Sequence, residues 1–387
     1  MQRALVALLV VLAAGPAAAG SVVVDGSTGL HATDAAPSLA ANEQSECSFP
    51  VETEDNTGQT VTVEEEPEEV VVLAPGAAQH MWEIGAEEKV VGMPVNRFTA
   101  YLEGSEERTN VVGEFGQPNQ EEVVALEPDL VLAPNVISEE AVTSLRDAGL
   151  TVYHSPIANS VDDVYGELDR VGQLVGACEG AEETITEMQN TVTMIEKAVA
   201  DEEQPRVFYD LGGGWTAGEN TLENDLITRA GGANIATAAE ESGYFQLSEE
   251  VLVAEDPEWI VTHEGRELPE IAGLEESTAM QNDQIVEVNS NFISQHGPRN
   301  VIPLEGMAEA FHPEAMAEAR ATPTPTETLT ETPTETPTAT PTETEMDPTP
   351  TEPEETETLS DDDGTGFTVG VALAAIAALG VIARRRR

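Results

Sequence analysis

Two stretches of this chain, about 129 residues apart, carry nearly the same sequence, and this repeat limits the possible folds more than any other feature. In residues 119–131 and again in residues 248–261, a residue that favours a helix start precedes acidic residues and a short apolar segment. A proline, Pro128 or Pro257, then ends the helix, and a β-branched strand follows. The chain therefore contains the same helix–strand unit twice.

A further strand–loop–helix unit lies upstream of each copy. The first has an apolar strand at 70–74 and a helix that ends near Gly85, and the second has a strand at 207–211 and a helix that ends near Gly231. This repeated order predicts an α/β fold of two α/β lobes with mostly parallel sheets and a ligand cleft between them. Residues 159–200 predict a long helical connection, broken once by glycines, that joins the lobes along one side.

The two ends of the chain differ in composition from the lobes. Arg3, an apolar run and small residues before Gly20 are typical of a signal peptide. Residues 321–359 are mainly Thr, Pro and Glu, which predicts an extended stalk, and the apolar run 368–383 ends in four arginines. The predicted segments are a signal peptide (1–19), a flexible leader (20–46), an N-terminal lobe (47–158), a connecting helix (159–200), a C-terminal lobe (201–319), a stalk (320–363) and a C-terminal anchor or sorting signal (364–387).

The C-terminal segment resembles the archaeal sorting signals called PGF-CTERM, in which an acidic stretch precedes Pro-Gly-Phe, an apolar run and basic residues. Here Thr365 stands where those signals have proline. The resemblance implies that the tail is removed and replaced by a lipid anchor. We therefore expect a secreted protein attached to the outer face of the cell membrane.

The charge of the chain excludes some classes of partner. The formal net charge is −57, and Lys89 and Lys197 are the two lysines. Acidic residues spread over a folded chain are typical of proteins from concentrated salt, so we expect a halophilic source. Such a surface repels nucleic acids and anionic lipids, and we predict no nucleic-acid partner.

The residues that usually carry covalent or metal chemistry are sparse. Cys47 and Cys178 are the two cysteines, and in an exported chain an even pair predicts a disulfide. The six histidines lack metal-ligand spacing, so we predict no metal site. Asp210 ends a strand without a nucleophile–base set, and the glycine run 212–214 lacks the lysine of a phosphate-binding loop. The sequence therefore predicts a binding protein rather than an enzyme.

Several segments resemble the helical-backbone periplasmic binding proteins that serve importers for vitamin B12, haem and ferric siderophores. In the first lobe these are 69–78, 84–92 and 127–132, and in the second lobe 213–218, 230–235 and 297–301, so that the resemblance covers about residues 49 to 313. It implies a monomer that passes a small-molecule ligand to an ABC importer, whose permease dimer works with ATPase subunits. It also implies that one glutamate per lobe docks on the permease. Glu121 and Glu250, which match in the two repeat copies, are these candidates, although acids also favour the first turn of any helix.

The candidate ligand-binding residues lie in predicted loops at the lobe edges. The loop after the first strand is where α/β sheets bind ligands, aromatic residues are scarce in this chain, and Arg97 and His296 are possible polar contacts. An ordinary turn or core packing would explain each residue singly. Arg299 is a further possible polar contact, but its place at the start of a helix favours a structural role. The candidates are Pro75, Gly76, Arg97, Tyr101, Trp215, Tyr244, Phe292 and His296.

The choice of ligand rests on charge. Anionic ferric siderophores tend to recruit several arginines, and only nine arginines lie between the leader and the four C-terminal ones. We therefore expect a large ligand with little net negative charge, a corrinoid such as cobalamin, and no resident cofactor. A ferric siderophore is one alternative, and haem bound through Tyr101, Tyr244 or His296 is another. A stalked surface adhesin is the alternative from another class, and the stalk would suit it.

Overall fold

The computed structural model describes residues 47–113, 116–239 and 241–321. The predicted signal peptide, leader and anchor, and all but the first two residues of the stalk, lie outside these ranges. Within them, no helix combines the length and the apolar character needed to cross a membrane.

The N-terminal lobe is built on a five-stranded parallel sheet. An antiparallel hairpin, β1 (Val51–Glu54) and β2 (Thr60–Val63), precedes it and turns at Asn56 and Gly58. The strand order in the sheet is β5-β4-β3-β6-β7, and all neighbours are parallel. Its strands are β3 (Val70–Val72), β4 (Val90–Met93), β5 (Thr109–Asn110), β6 (Leu130–Ala133) and β7 (Val152–His154), and its helices are α1 (Pro75–Glu83), α2 (Gln120–Ala125) and α3 (Glu139–Asp147).

Two consecutive helices, α4 (Val161–Val175) and α5 (Cys178–Val199), connect the lobes. Ser160 begins α4, and its hydroxyl accepts a hydrogen bond from the backbone N–H of Asp163. The 22 residues of α5 span about 33 Å and contact α1 in the N-terminal lobe. Gly180 makes this contact close, because a Cβ atom there would lie 2.1 Å from the carbonyl oxygen of Ile84.

A disulfide fixes the start of the N-terminal lobe to this connection. The sulfur atoms of Cys47 and Cys178 are 2.01 Å apart, so the pair that the sequence predicts to be bonded is bonded in the structure. The bond joins the segment before β1 to the first residue of α5.

The C-terminal lobe contains a four-stranded parallel sheet with the order β10-β8-β12-β13. A separate antiparallel pair, β9 and β11, lies beside it. The strands are β8 (Arg206–Asp210), β9 (Trp215–Ala217), β10 (Ala233–Asn234), β11 (Tyr244–Gln246), β12 (Trp259–His263) and β13 (Ile285–Val288). The helices are α6 (Leu222–Arg229), α7 (Glu249–Glu255), α8 (Thr278–Asn282), α9 (Ser290–Ile293), α10 (Val301–Phe311) and α11 (Pro313–Ala321).

The sequence repeat occupies equivalent places in the two sheets. The order β4-β3-β6-β7 in one sheet matches β10-β8-β12-β13 in the other. In each copy, the acidic residue after the repeated proline accepts hydrogen bonds from backbone N–H groups at the start of the neighbouring strand, which is β3 in one sheet and β8 in the other. Asp129 accepts from the N–H groups of Glu68 and Glu69, at 2.9 and 3.0 Å, and Glu258 accepts from that of Arg206, at 3.0 Å. The predicted fold of two α/β lobes with parallel sheets and a helical connection is confirmed.

Candidate functional site

A large cleft lies between the two lobes, at the carboxyl ends of the strands. Its volume is about 1650 Å³, and both lobes line it. On the N-terminal side the lining begins at Leu73, directly after β3, and on the C-terminal side at His263, the last residue of β12. The carboxyl edge of parallel strands is the usual place for a ligand in α/β folds, because loops rather than ladder hydrogen bonds occupy it.

The two walls of the cleft differ in chemistry. The N-terminal wall is mainly apolar, and its exposed side chains include Phe98 and Val136, which are 39% and 72% accessible. Among its described residues, the C-terminal wall has only polar or charged side chains and one glycine. It consists of His263, Glu264, Gly265, Arg266, Ser290, Asn291, Ser294 and Gln295.

Arg97 and Phe98 lie on a tightly bonded loop of the N-terminal wall. The guanidinium carbon of Arg97 is 4.5 Å from the centroid of the Phe98 ring, a cation–π contact. Buried Thr99 fixes the loop because its hydroxyl donates to the carbonyl oxygen of Pro94 at 2.7 Å. The loop thus presents one aromatic ring and one positive charge to the cleft.

On the C-terminal wall, a chain of hydrogen bonds runs from the cleft into the core. Arg266 Nη2 lies 3.0 Å from His263 Nδ1, and His263 Nε2 lies 2.9 Å from the Tyr209 hydroxyl. Because a guanidinium only donates, Nδ1 must accept, so the proton of a neutral imidazole is on Nε2 and points to Tyr209. Burial, with a smaller contribution from the positive charge of Arg266, lowers the pKa of His263 to about 4, and burial raises that of Tyr209. The side chain of Ser294, which lines the cleft, is also hydrogen-bonded to Tyr209.

At the base of the cleft, α1 and its surroundings are hydrogen-bonded to residues 295–299; we call this contact the interlobe seam. Gln79 Nε2 donates to the Tyr101 hydroxyl, which donates to Gln295 Oε1, and both distances are 2.8 Å. Gln295 Nε2 donates to the carbonyl oxygen of Phe98, also at 2.8 Å. The two bonds of Gln295 cross from one lobe to the other and hold the lobes together at this point.

A second set of contacts extends the seam along α1. His80 Nε2 lies 3.0 Å from the carbonyl oxygen of His296, so this nitrogen is the donor. Complete burial lowers the pKa of His80 to about 4, and the ring is neutral. The Arg299 guanidinium binds Glu83 at 2.7 Å and lies over the rings of Tyr101 and Phe292, 4.9 and 5.5 Å from their centroids.

Some of the predicted ligand residues line the cleft, and others lie in the interlobe seam. Pro75 and Arg97 line the cleft. Gly76 and His296 lie in the seam, where a Cβ atom on Gly76 would be 3.6 Å from the carbonyl oxygen of His296. Tyr101 is also in the seam, bonded on both sides as described above.

The remaining aromatic candidates lie outside the described lining of the cleft. Phe292 stacks in the seam with Tyr101, with ring centroids 5.4 Å apart. Trp215 and Tyr244 are exposed on the β9–β11 pair, and the Tyr244 hydroxyl donates to buried Glu223 at 2.8 Å. A role for these residues in ligand binding stays a prediction.

Sequence reasoning missed most of the C-terminal wall. His263 and Arg266 follow the second repeated strand, where a ligand loop is expected, but a single arginine or histidine after a strand carries no distinctive pattern. Asn291, Ser294 and Gln295 lie on or just after the short helix α9. The signal that could have found them is position alone, at the carboxyl ends of β12 and β13.

Glu121 and Glu250 are exposed and equivalent, each being the second residue of its helix, α2 or α7. A helix that leads into a parallel strand begins at the carboxyl edge of the sheet, which is the cleft side. Both glutamates therefore lie near the rim of the cleft, one on each lobe. Among the described residues, no group of His, Cys, Asp and Glu side chains could hold a metal ion.

Comparison with known proteins agrees with this architecture. A protein of Halobacterium salinarum named cobalamin-binding protein is 43% identical over 291 residues, which is 71% of this chain and 78% of that protein. An uncharacterized ABC transporter substrate-binding lipoprotein of Bacillus subtilis, YvrC, is 29% identical over 282 residues, 70% of this chain and 88% of that one.

Solved structures extend the comparison to the fold. The periplasmic vitamin B12 binding protein BtuF of Vibrio cholerae superimposes with a TM-score of 0.55 and 22% identity, covering 66% of this chain and 99% of that one. At this identity the likeness concerns the fold. The family described as periplasmic binding protein matches residues 70–291, from the first strand of the N-terminal sheet to the C-terminal wall of the cleft. The chain belongs to the periplasmic binding protein family.

Proposed function

We propose that this protein is the extracellular substrate-binding component of an ABC importer and that it captures a corrinoid such as cobalamin. The observation that carries the proposal is the 43% identity, over 71% of this chain, to the cobalamin-binding protein of Halobacterium salinarum. The description of the Bacillus subtilis relative as an ABC transporter substrate-binding lipoprotein supports the importer role. The cleft volume of about 1650 Å³ supports a large ligand, since pockets for drug-sized molecules usually have about 300–1,000 Å³.

The two walls of the cleft suit the chemistry of a corrinoid. Its ring is broad and has apolar faces, and amide side chains surround the rim. Phe98 and Val136 provide apolar surface for a ring face, and desolvating that surface favours binding. Asn291, Ser294 and Gln295 provide donors and acceptors for amides on the opposite wall.

A ferric siderophore is the competing ligand, and one observation favours it. Arg97 and Arg266 both line the cleft, and neither forms an ion pair with a described residue. Two positive charges could bind an anionic iron complex. This observation counters the sequence argument that a chain with few arginines does not bind an anionic ligand. Haem receives no such support. Tyr101 and Tyr244 bond to other side chains, and none of the three possible axial ligands, Tyr101, Tyr244 and His296, lines the described cleft.

Delivery is proposed to occur at the rim of the cleft. Glu121 and Glu250 are exposed on corresponding helices of the two lobes, so a permease dimer that covers the cleft would meet one glutamate from each half. ATP hydrolysis by other subunits would then drive uptake. The N-terminal signal peptide and the C-terminal anchor would keep the protein, a monomer, at the outer face of the membrane.

Titration calorimetry tests the ligand. The chain from Cys47 to Arg320, in molar KCl, is titrated with cyanocobalamin, with a ferric hydroxamate and with haemin. We expect a one-to-one complex with cyanocobalamin and no heat from the other two. Binding of the ferric hydroxamate alone would replace the ligand and keep the importer role, whereas no binding of any of the three would remove the proposal in favour of the adhesin.

A further inference from the structure

We propose that Arg266 is a specificity-determining residue that binds an anionic group of the ligand, namely the phosphodiester of the nucleotide loop that distinguishes a complete corrinoid from one without that loop. The inference rests on the proposed corrinoid ligand and adds a residue and a chemical group to it. Three features of the C-terminal wall carry it: the way Arg266 is held, the space made for it, and the absence of charge in its partners.

Arg266 is held at three points on its backbone and side chain. Its Nη1 donates to the carbonyl oxygen of Leu211 at 2.6 Å, and its Nη2 donates to His263 Nδ1 at 3.0 Å. Its backbone N–H donates to the carbonyl oxygen of His263, also at 3.0 Å. A guanidinium has five N–H donors, so three remain for a ligand in the cleft that Arg266 lines.

Glycine at position 212 makes room for this guanidinium. A Cβ atom on Gly212 would lie 2.0 Å from Nη1 of Arg266, and its φ of +98° is unfavourable for any other residue. The glycine run 212–214, which matches no phosphate-binding or dinucleotide-binding pattern, thus forms the turn against which Arg266 lies. An arginine fixed in this way loses little rotamer freedom when a ligand binds.

The partners of Arg266 orient it without cancelling its charge. Other arginines of this acidic chain bind carboxylates: Arg146 binds Asp55, Arg299 binds Glu83, and Arg229 binds three different acids. Arg266 instead bonds to a carbonyl oxygen and to a neutral imidazole, since burial keeps His263 uncharged at neutral pH.

Two carboxyl groups lie nearby, and both have other hydrogen-bond partners. Buried Asp210 accepts hydrogen bonds from the backbone N–H of Gly212 and from Thr262 rather than from Arg266. Burial raises the pKa of Asp210, and the nearby positive charge of Arg266 offsets part of that rise. Glu264 accepts from Asn289 at 3.1 Å. Arg266 therefore forms no ion pair with a described carboxylate, and its remaining N–H groups can donate to a ligand. A planar guanidinium with several free N–H groups matches the oxygens of a phosphate, to which it can donate two parallel bonds.

The test compares two corrinoids on variants of the full-length protein, purified in mild detergent and molar KCl. Cyanocobalamin carries the phosphodiester, and dicyanocobinamide lacks the whole nucleotide loop. Arg266→Gln removes the charge and keeps some hydrogen bonding, and Arg266→Lys keeps the charge without the planar fork. Arg320→Gln is the control, because it removes the same charge from α11, where Arg320 pairs with Glu305 and Glu309.

We expect Arg266→Gln to weaken cyanocobalamin binding by about tenfold or more and dicyanocobinamide binding by less than about twofold. Arg266→Lys should give an intermediate loss for cyanocobalamin, and Arg320→Gln should change neither affinity. Equal losses for both corrinoids, or no loss for cyanocobalamin, would overturn the role of Arg266 and leave the ligand assignment intact. If the unmodified protein binds neither corrinoid, the proposed ligand and this inference both fail. Unchanged near-ultraviolet circular dichroism establishes that each variant is folded.

Discussion

The two lobes share a backbone plan and differ in the surfaces that they turn toward each other. Four strands of each sheet have the same order and direction, and the repeated helices α2 and α7 lead into equivalent strands. The cleft walls, in contrast, are mainly apolar on the N-terminal side and polar on the C-terminal side. Repetition in this chain therefore preserves the elements that build a lobe, while the loops that contact a ligand have diverged.

The hydrophobic core follows the same division. One cluster of buried residues includes strands of both lobes and the connecting helices, with Val70, Ile195 and Val207 among its members. A second cluster belongs to the outer face of the N-terminal sheet, and a third to that of the C-terminal sheet. Each lobe thus has a separate core on the outer face of its sheet, and the two lobes share a common core along the connecting helices. Because this common core includes residues of both lobes, we expect the lobes to unfold together.

The largest expected effect comes from creating a cavity in the core on the outer face of either sheet. Phe208 is fully buried in the C-terminal cluster, and Leu145 is buried in the N-terminal cluster. We expect Phe208→Ala to lower the free energy of unfolding by about 3–5 kcal/mol and Leu145→Ala by about 2–5 kcal/mol. Urea unfolding in molar KCl, followed by tryptophan fluorescence and by far-ultraviolet circular dichroism, should show one shifted transition for each. Two separate transitions would mean that the common core does not couple the lobes.

The next effect distinguishes a buried ion pair of one lobe from an exposed pair of the other. Asp55, whose side chain is inaccessible, binds Arg146 in the N-terminal lobe, whereas Arg206 and Glu258 in the C-terminal lobe are 42% and 36% accessible. We expect Asp55→Ala to cost about 3–5 kcal/mol, because Arg146 loses its partner, and Glu258→Ala to cost about 1 kcal/mol or less. Urea unfolding at pH 7 measures both values. Equal costs would contradict the difference in burial.

The same pair gives a pH dependence of defined sign. Burial would raise the pKa of Asp55, but hydrogen bonds from Thr57 and Arg146 outweigh it and lower the pKa below its ordinary value. The folded state therefore binds this proton less readily than the unfolded chain. The resulting stability is present above the ordinary pKa and is lost as the pH falls through the lowered one. Between pH 6 and pH 3, the unmodified protein should lose more stability than Asp55→Ala, and the difference between them should shrink.

The disulfide between the N-terminal lobe and the connecting helix α5 gives a smaller effect. Cys47 and Cys178 are separated by 131 residues, and their bond restricts the unfolded chain over that length. We expect the double variant Cys47→Ser, Cys178→Ser to be less stable by about 2–4 kcal/mol, with unchanged ligand affinity because neither residue lines the cleft. Urea unfolding and calorimetry measure the two quantities. A loss of affinity would show that the disulfide also sets the position of the cleft walls.

The fold was predictable because its signals are local. The repeated proline ends a helix and begins a strand within about a dozen residues, and Ser160, a residue type that favours a helix start, begins the first connecting helix. The hairpin at Asn56 and Gly58 and the break between α4 and α5 follow from turn-forming residues in the same way. Each of these features depends on neighbours in sequence.

The site was less predictable because its contacts are distant in sequence. Phe98 and Gln295, which meet in the seam, are 197 residues apart, and no periodicity connects them. The position of Pro75 in the loop after the first strand predicts a ligand contact, and Arg97 is predicted as a polar contact, whereas Arg266 follows a later strand without any pattern. Trp215 and Tyr244 looked like ligand contacts because aromatic residues at loop edges suit a flat ligand, but an exposed strand pair carries them. Loop position identified candidates, and only the assembled fold separates lining residues from the others.

The smallest effect expected of a single substitution is the effect of charge reversal at the rim of the cleft on ligand uptake. It tests whether the two lobes are equivalent in docking on the permease. Glu121 and Glu250 are exposed second residues of α2 and α7, so a symmetric permease dimer should treat them alike. We expect Glu121→Lys and Glu250→Lys each to reduce uptake of labelled cobalamin by cells by about tenfold, since reversal places like charges together, and the double variant to abolish it. Ligand affinity should not change. Glu139→Lys is the matched control, because Glu139 is an exposed first-turn acid of α3 and lies outside the repeat. If only one of the two reversals affects uptake, the divergence that the cleft walls show extends to the docking surface, and the backbone repeat no longer predicts the partner contact.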